Sequence, residues 1–231
     1  MRPGPSRSAR GSGMGRSRSE GDLSAIPVER ETMDKKNIIV AVTGASGAPY
    51  AAELLLFLSR AKFAVQVVAS DAGKLVYELE TGTRLDRVLP ADARLYDVND
   101  FTAPFASGSF PCEGMVVVPC TMGTLGAIAS GISQNLIHRA ADVCLKERRR
   151  LILVPRETPL NQIHLENMLR LSRAGAIIVP AMPGFYHRPQ SVAELVRFVV
   201  ARILEQLGIP QDLLEPWDAR KLRPPDPIHE A

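Results

Sequence analysis

The sequence predicts an α/β fold in which a mainly parallel, doubly wound sheet lies between two layers of helices. Short apolar runs rich in β-branched residues alternate along the chain with longer segments of helical periodicity. Such alternation is typical of β–α–β units with right-handed crossovers. Several of the apolar runs end in small or hydroxylated residues, at the strand ends where folds of this class bind ligands.

The first predicted strand and helix are the clearest. Residues 38–42 form an unbroken apolar run, as expected of a parallel strand buried on both faces. The small residues of the loop 43–47 follow, and Pro49 suits the first turn of a helix. A helix N-terminus presents free N–H groups, so we expect an anion site here, most often for phosphate. The alternative is a tight turn without a ligand.

The remaining elements follow the same alternation. Ser70 is a suitable N-cap for the second helix, and residues 84–100 show no regular pattern. The predicted strands are 38–42, 63–69, 114–118, 151–154 and 176–179, and the predicted helices are 48–59, 71–79, 125–148, 161–172 and 192–207.

Length and composition limit the classes of function. A chain of 231 residues fits one α/β domain with extensions, and 45% hydrophobic with 23% charged residues is ordinary for a globular protein. The net charge of +3 comes partly from the basic N-terminus, and aromatic residues are only 5%, so we expect no nucleic-acid partner. No apolar run approaches the roughly 20 residues of a membrane span, so we expect no membrane partner.

Cysteine and histidine usage indicates a reduced compartment and no metal site. The three cysteines form no C-x-x-C pair and leave an odd thiol, which favours a cytoplasmic protein. The four histidines show neither H-x-x-x-H nor H-E-x-x-H spacing.

The predicted domain is flanked by two extensions. Residues 1–33 are rich in Arg and Ser and are predicted to be a disordered extension, with Met33 as an alternative start. The α/β domain is predicted over residues 34–210. The proline-rich segment 211–231 is predicted to be extended, with Trp217 as a possible anchor.

Polar residues gather where the predicted strands end. Hydroxyl groups and backbone N–H groups suit a ribityl chain and a monophosphate, and an arginine adds a charge-assisted hydrogen bond. The polar side chains at these ends are Ser46, Ser70, Thr121, Thr124, Arg156 and Glu157.

Five motifs carry a resemblance to a known family. They are residues 43–48 (TGASGA), 119–125 (PCTMGTL), 139–148 (RAADVCLKER), 156–160 (RETPL) and 185–189 (FYHRP). In this order, and between about residues 36 and 217, the sequence resembles the flavin prenyltransferase family (UbiX-type).

The resemblance implies a flavodoxin-like Rossmann three-layer sandwich that binds reduced FMN. It implies transfer of a dimethylallyl group from dimethylallyl phosphate to N5 and then C6 of the flavin, without a metal. The product, prenylated FMN, would serve a UbiD-type decarboxylase. The family also implies a homo-oligomer, typically a dodecamer, with active sites between subunits.

The resemblance assigns expected roles to residues of this chain. Glu157, Lys146 and Glu80 are the expected catalytic residues, with Glu157 in proton transfer, and Phe101 and Trp217 match aromatic positions near the isoprenoid. The expected FMN contacts are Gly44, Ala45, Ser46, Ser70, Thr121, Met122, Gly123, Thr124 and Arg156. The expected contacts to the allyl phosphate are Ser107, Arg139, Lys146, Tyr186 and Arg202.

The chemistry agrees with these assignments. The chain lacks the D-D-x-x-D motif with which other prenyl-transferring enzymes hold Mg²⁺, so a cluster of cations must stabilise the departing phosphate. Each assignment also has a simpler interpretation: Lys146 and Arg202 could be solvated helix residues, and Glu80 an ordinary helix-end carboxylate.

Two other functions stay open. One is a flavin-dependent decarboxylase of the phosphopantothenoylcysteine type, although that family has Asn after Pro-Ala-Met where this chain has Pro183. The other is a non-catalytic FMN-binding module, which would need neither Glu157 nor the cation cluster.

Overall fold

The structure is a computed structural model, and it describes residues 35–216. The predicted extension 1–33 and the C-terminal residues from Trp217 onward lie outside the described residues.

The described residues form a six-stranded sheet in which every pairing is parallel. The strand order is β3-β2-β1-β4-β5-β6, so the direction of winding reverses between β1 and β4. Without the short edge strand β3, the order is that of flavodoxin. The strands are β1 Asn37–Val42, β2 Ala64–Ala69, β3 Ala93–Tyr96, β4 Gly114–Cys120, β5 Arg150–Pro155 and β6 Ile177–Ile178.

Strand β3 corrects the sequence prediction, which treated residues 84–100 as irregular. The segment contains a four-residue helix, Leu85–Val88, followed by β3. β3 pairs with β2 from Val65 to Val68. Its four residues include the exposed Arg94, so the pattern is too short and too polar to stand out before its pairing partner is known.

The helices confirm most predicted positions, and α7 matches the prediction at both ends. The predicted helix 125–148 is wrong, because the chain breaks between α4 and α5. Gly131 adopts a left-handed backbone with φ 69°, and Asn135 caps the start of α5 by accepting a hydrogen bond from the His138 N–H. The helices are α1 Ala48–Arg60, α2 Asp71–Thr81, α3 Leu85–Val88, α4 Met122–Ala129, α5 Leu136–Lys146, α6 Gln162–Arg173 and α7 Val192–Leu207.

Each face of the sheet carries its own hydrophobic core. Alternate strand residues point to opposite faces, so Val40 packs with α1 and α7, whereas Ile39 packs with α4 and α5. Residues on both faces of β1 and β4 are almost completely buried, which explains their continuous apolar runs. The three-layer arrangement therefore leaves the carboxyl edge of the sheet as the place for a ligand.

Within residues 35–216, no helix combines the length and apolar character that crossing a bilayer requires. In the same range, no group of three or more His, Cys, Asp or Glu side chains could hold a metal ion.

Candidate active site

The loops that follow β1 and β4 meet at the point where the winding reverses, and buried Thr43 joins them. Its Oγ1 donates a hydrogen bond to the Pro119 carbonyl oxygen at 2.7 Å and accepts one from the Thr121 N–H at 2.9 Å. In doubly wound folds the crevice at this reversal is the usual ligand site. Thr43 therefore sets the spacing between the two loops that border the crevice.

A carboxylate occupies the N-terminus of α1. Glu80, from the end of α2, accepts hydrogen bonds from the N–H groups of Gly47 at 2.9 Å and Ala48 at 2.8 Å. This finding corrects the expectation that these N–H groups are free for a phosphate, because the protein supplies the anion itself. Gly47 has φ 128°, a conformation that strongly favours glycine.

Electrostatics at this loop keep Glu80 ionised. Burial opposes ionisation, but hydrogen bonds from the Ser46 hydroxyl and the two N–H groups, together with the charge of Arg156, lower the pKa of Glu80. Arg156 follows β5, and its Nε donates to the Ser46 carbonyl oxygen at 3.0 Å. Ser46, Glu80 and Arg156 thus lie together at the loop between β1 and α1.

The hydroxyl groups at the ends of β2 and β4 cap helices. Ser70 Oγ accepts from the Gly73 N–H at 3.0 Å, and Thr121 Oγ1 accepts from the Thr124 N–H at 3.1 Å. Each capping hydroxyl retains acceptor capacity, and Ser70 Oγ also has a proton to donate. A Cβ at Gly123 would meet no atom within 4 Å, so the first turn of α4 faces open space.

Glu157 lies beside Arg156 but is exposed. Its Oε1 accepts a hydrogen bond from the Thr158 N–H at 3.0 Å. Within one chain the Glu157 side chain is therefore open to solvent, and its burial would have to come from a ligand or from a second copy of the chain.

A second group of predicted residues lies along α5 and the loop 106–108, which contacts this helix. Arg139 Nε donates to the Ala106 carbonyl oxygen at 3.0 Å, while Lys146 Nζ contacts the Glu147 carboxylate beside Gly108. Ser107 is exposed at a cleft of about 500 Å³, which Phe101 also lines. We call Ser107, Arg139 and Lys146 the α5 cluster.

A third group lies on α7 and the loop before it. The Tyr186 ring packs edge-on against Phe198, with 5.8 Å between centroids. Phe198 and Arg202, one turn apart on α7, both line a cleft of about 400 Å³. Arg202 is ion-paired with Glu205. We call Tyr186 and Arg202 the α7 cluster.

One chain does not bring the predicted cations together. Helix α5 covers one face of the sheet and α7 covers the other, so the sheet separates the α5 cluster from the α7 cluster. Trp217, predicted near the isoprenoid, lies outside the described residues. Sequence reasoning also missed Thr43, for which a buried hydroxyl at the end of an apolar strand was the available signal.

Comparison with known proteins defines the class first. The sequence model of the flavoprotein family matches residues 27–204 of the chain. Among structures below 25% identity, a phosphopantothenoylcysteine (PPC) decarboxylase variant shares the fold, with 18% identity and a TM-score of 0.53. The chain therefore belongs to the flavoprotein family, and it shares with this decarboxylase the fold alone.

More similar relatives define the family within that class, and the chain belongs to the UbiX flavin prenyltransferases. The flavin prenyltransferase UbiX of Pseudomonas aeruginosa is 50% identical over 81% of this chain and 96% of its own length. The flavin prenyltransferase UbiX of Methanothermobacter thermautotrophicus is 46% identical over 81% of this chain and 98% of its own length.

Solved structures agree with this assignment. A crystal structure of AnUbiX (PadA1) in complex with FMN and dimethylallyl pyrophosphate has 44% identity and a TM-score of 0.77, covering 80% of this chain and 98% of its own. A dodecameric FMN-dependent UbiX-like decarboxylase from Escherichia coli O157:H7 has 45% identity and a TM-score of 0.76, covering 79% and 99%.

Proposed function

We propose that this protein is a flavin prenyltransferase, which transfers the dimethylallyl group of dimethylallyl phosphate to reduced FMN and releases phosphate. The observation that carries the proposal is the 44–50% identity to UbiX proteins over nearly their whole length. The alternative of a phosphopantothenoylcysteine-type decarboxylase is not favoured, because the similarity to that group extends to the fold alone.

The residues at the carboxyl edge fit FMN. The backbone of Gly44 and Ala45, the Ser46 and Ser70 hydroxyls, and Arg156 provide donors for a ribityl chain and a phosphate. Residues 121–124 complete the set from the other side of the crevice, where Gly123 leaves open space. Reduced FMN supplies the nucleophile, so the protein needs no Ser or Cys nucleophile of its own.

The α5 and α7 clusters fit the leaving group. Lys146, Arg139 and Arg202 supply positive charge, and Tyr186 and Ser107 supply hydroxyl donors, for a phosphate that departs without a metal ion. Since the sheet separates the two clusters within one chain, we propose that copies of the chain assemble so that each complete site combines both. A homo-oligomer, as in the dodecameric E. coli relative, would achieve this.

Two carboxylates have distinct proposed roles. Glu157 exchanges a proton with the departing phosphate or the flavin once assembly buries it. Glu80, held ionised at the N-terminus of α1, orients the Ser46 loop against the flavin.

The product has a proposed use and location. Prenylated FMN would pass to a UbiD-type decarboxylase as its cofactor. We place the protein in the cytoplasm, because its three cysteines are free thiols.

Mass spectrometry tests the function directly. Anaerobic incubation with reduced FMN and dimethylallyl phosphate should yield a flavin heavier by one C5 unit, together with free phosphate. Parallel reactions with the diphosphate would establish which ester is preferred. An unchanged flavin mass together with CO₂ release from a carboxylic substrate would favour the decarboxylase, and an unchanged mass without CO₂ would favour a binding module.

Subunit complementation tests the composite site. Lys146→Ala and Arg202→Ala should each be inactive alone, because each disables one cluster in every copy. If each site combines two copies, oligomers assembled at random from equal amounts of the two variants should have about a quarter of their sites intact. An intact site takes its α5 cluster from an Arg202→Ala chain and its α7 cluster from a Lys146→Ala chain. If subunits exchange between the two inactive oligomers and no activity is recovered, the composite site is refuted.

A further inference from the structure

A pair of thiols lies at the entrance to β4, apart from the groups assigned to FMN and to the allyl phosphate. Cys112 is half-buried two residues before β4 begins, and Cys144 on α5 is completely buried. Each thiol is the strongest electrostatic influence on the other. Both belong to the core on the α5 face of the sheet.

Arg149 fixes the geometry of this pair. Its Nη1 donates to Cys112 Sγ at 3.6 Å, and its backbone N–H donates to the Cys144 carbonyl oxygen at 2.8 Å. Its Nη2 donates to the Gly108 carbonyl oxygen at 2.6 Å. A single residue is thus bonded to both cysteines, and its positive charge lies against the Cys112 sulfur.

The carboxylates near that charge are each paired with a lysine, although Glu147 also interacts electrostatically with Arg149. Glu113 follows Cys112, but its carboxylate is paired with Lys36 at 3.4 Å. The Glu147 carboxylate contacts Lys146. Asn37 holds the backbone on either side of Cys112, because its Nδ2 donates to the Pro111 carbonyl oxygen and its own carbonyl oxygen accepts from the Glu113 N–H.

These contacts shift the pKa values of the two thiols in opposite directions. The hydrogen bond from Cys144 and the charge of Arg149 outweigh burial and lower the pKa of Cys112 to about 7. The same hydrogen bond, followed by burial, raises the pKa of Cys144. Cys120 serves as an internal comparison, since burial raises its pKa to about 12. A half-buried thiol of lowered pKa beside a buried thiol of raised pKa is the arrangement of a reactive cysteine and its resolving partner.

We propose that Cys112 and Cys144 form an oxidation site, at which Cys112 reacts with hydrogen peroxide and Cys144 resolves the product to a disulfide. The Cys112 thiolate attacks one peroxide oxygen, the O–O bond breaks, and the departing hydroxide takes a proton to become water. The resulting sulfenic acid reacts with Cys144, whose sulfur bonds to Cys112 while a second water leaves. Overall, the two thiols lose two electrons and two protons, and the peroxide is reduced to two waters.

Intact mass spectrometry of the full chain tests the proposal, and the test does not depend on the enzymatic function. After treatment with excess hydrogen peroxide, the mass should fall by two hydrogens, and a non-reducing digest should join the Cys112 and Cys144 peptides. Dithiothreitol should reverse both changes. Persistence of three free thiols, or a disulfide that includes Cys120, would overturn the proposal.

Two variants separate the steps. Cys144→Ser keeps a hydrogen-bond donor but cannot resolve, so Cys112 sulfenic acid should accumulate and be captured by a 1,3-diketone probe. Cys120→Ser should behave like the wild type. Failure of the probe to label Cys112 in Cys144→Ser would remove the sulfenic acid step and, with it, the proposal.

Alkylation by iodoacetamide tests the role of Arg149. The pH–rate midpoint of Cys112 should lie near neutrality and should rise by about one pH unit or more in Arg149→Gln. At pH 7, a rise of one unit should make the variant react about twofold more slowly, because the smaller thiolate fraction is partly offset by higher nucleophilicity. A wild-type midpoint near the ~8.5 of a free cysteine would contradict the proposed site.

Discussion

Replacement of Thr43 by valine tests whether one buried hydroxyl maintains the crevice between β1 and β4. Valine keeps the branched shape and replaces the Oγ1 hydroxyl with a methyl group, so packing should be conserved. The Pro119 carbonyl oxygen also accepts a hydrogen bond from the backbone N–H of Thr43 at 3.3 Å, and valine keeps this N–H. The Thr121 N–H would lose its acceptor at 2.9 Å.

The expected cost follows from these contacts. A buried donor left without a partner costs about 1–3 kcal/mol, so we expect Thr43→Val to lower the free energy of unfolding by about 2 kcal/mol. For a domain of this size, that corresponds to a decrease in Tm of about 4–8 °C. FMN should also bind more weakly, because Thr121 and the loop 43–47 would no longer be held in register.

Urea denaturation of Thr43→Val, Thr43→Ser and the wild type at one protein concentration measures the effect. Serine keeps the hydroxyl and loses one methyl group, worth about 0.8 kcal/mol, so it is the matched control. The reasoning fails if Thr43→Val lies within about 0.5 kcal/mol of the wild type, or if Thr43→Ser is the less stable of the two variants.

Three further perturbations address the neighbouring residues. Gly47→Ala should destabilise the protein by about 1–3 kcal/mol, measured by urea denaturation, because φ 128° strains any residue with a Cβ. Glu80→Gln should be less stable than the wild type near neutral pH. Since the pKa of Glu80 is lowered in the folded state, this difference should shrink as pH falls below about 4.3, and thermal melts at several pH values would show it. Glu157→Gln should retain FMN, measured by fluorescence titration, but lose prenyl transfer; an unchanged rate of flavin mass increase would remove its proton role.

Local patterns in the sequence were sufficient to predict most elements and one of the N-caps. Ser70 was predicted as an N-cap, and its hydroxyl accepts the Gly73 N–H. The apolar periodicity of α7 gave both of its ends. In contrast, β3 depends on pairing with β2, which no local pattern of four residues can indicate.

The site depends more strongly on contacts between distant residues. Glu80 reaches the N–H groups of Gly47 and Ala48 across more than 30 residues of sequence. A free helix N-terminus was therefore the natural prediction from the loop alone, and it was wrong. The resemblance placed Glu80 near the site, but the structure was needed to show that it is the anion at α1.

The separation of the α5 cluster from the α7 cluster also depends on contacts between distant residues. The strand order predicts the face of the sheet for the α5 cluster but not for the α7 cluster. Winding proceeds from β1 towards β3 and then from β4 towards β6, so right-handed crossovers place α1 and the helices after β4 on opposite faces. That rule fixes the face of Lys146 on α5 from the strand order. It cannot fix the face of Arg202, because α7 follows the last described strand and crosses to no other. Only packing decides its position: Val199 and Val200 join α7 to the core shared with α1 and the Ile152 side of β5. Because packing alone sets the face on which Arg202 lies, the sequence could not predict that Arg202 and Lys146 are on opposite sides of the sheet. The complementation of Lys146→Ala by Arg202→Ala is therefore the decisive test of how the site is assembled.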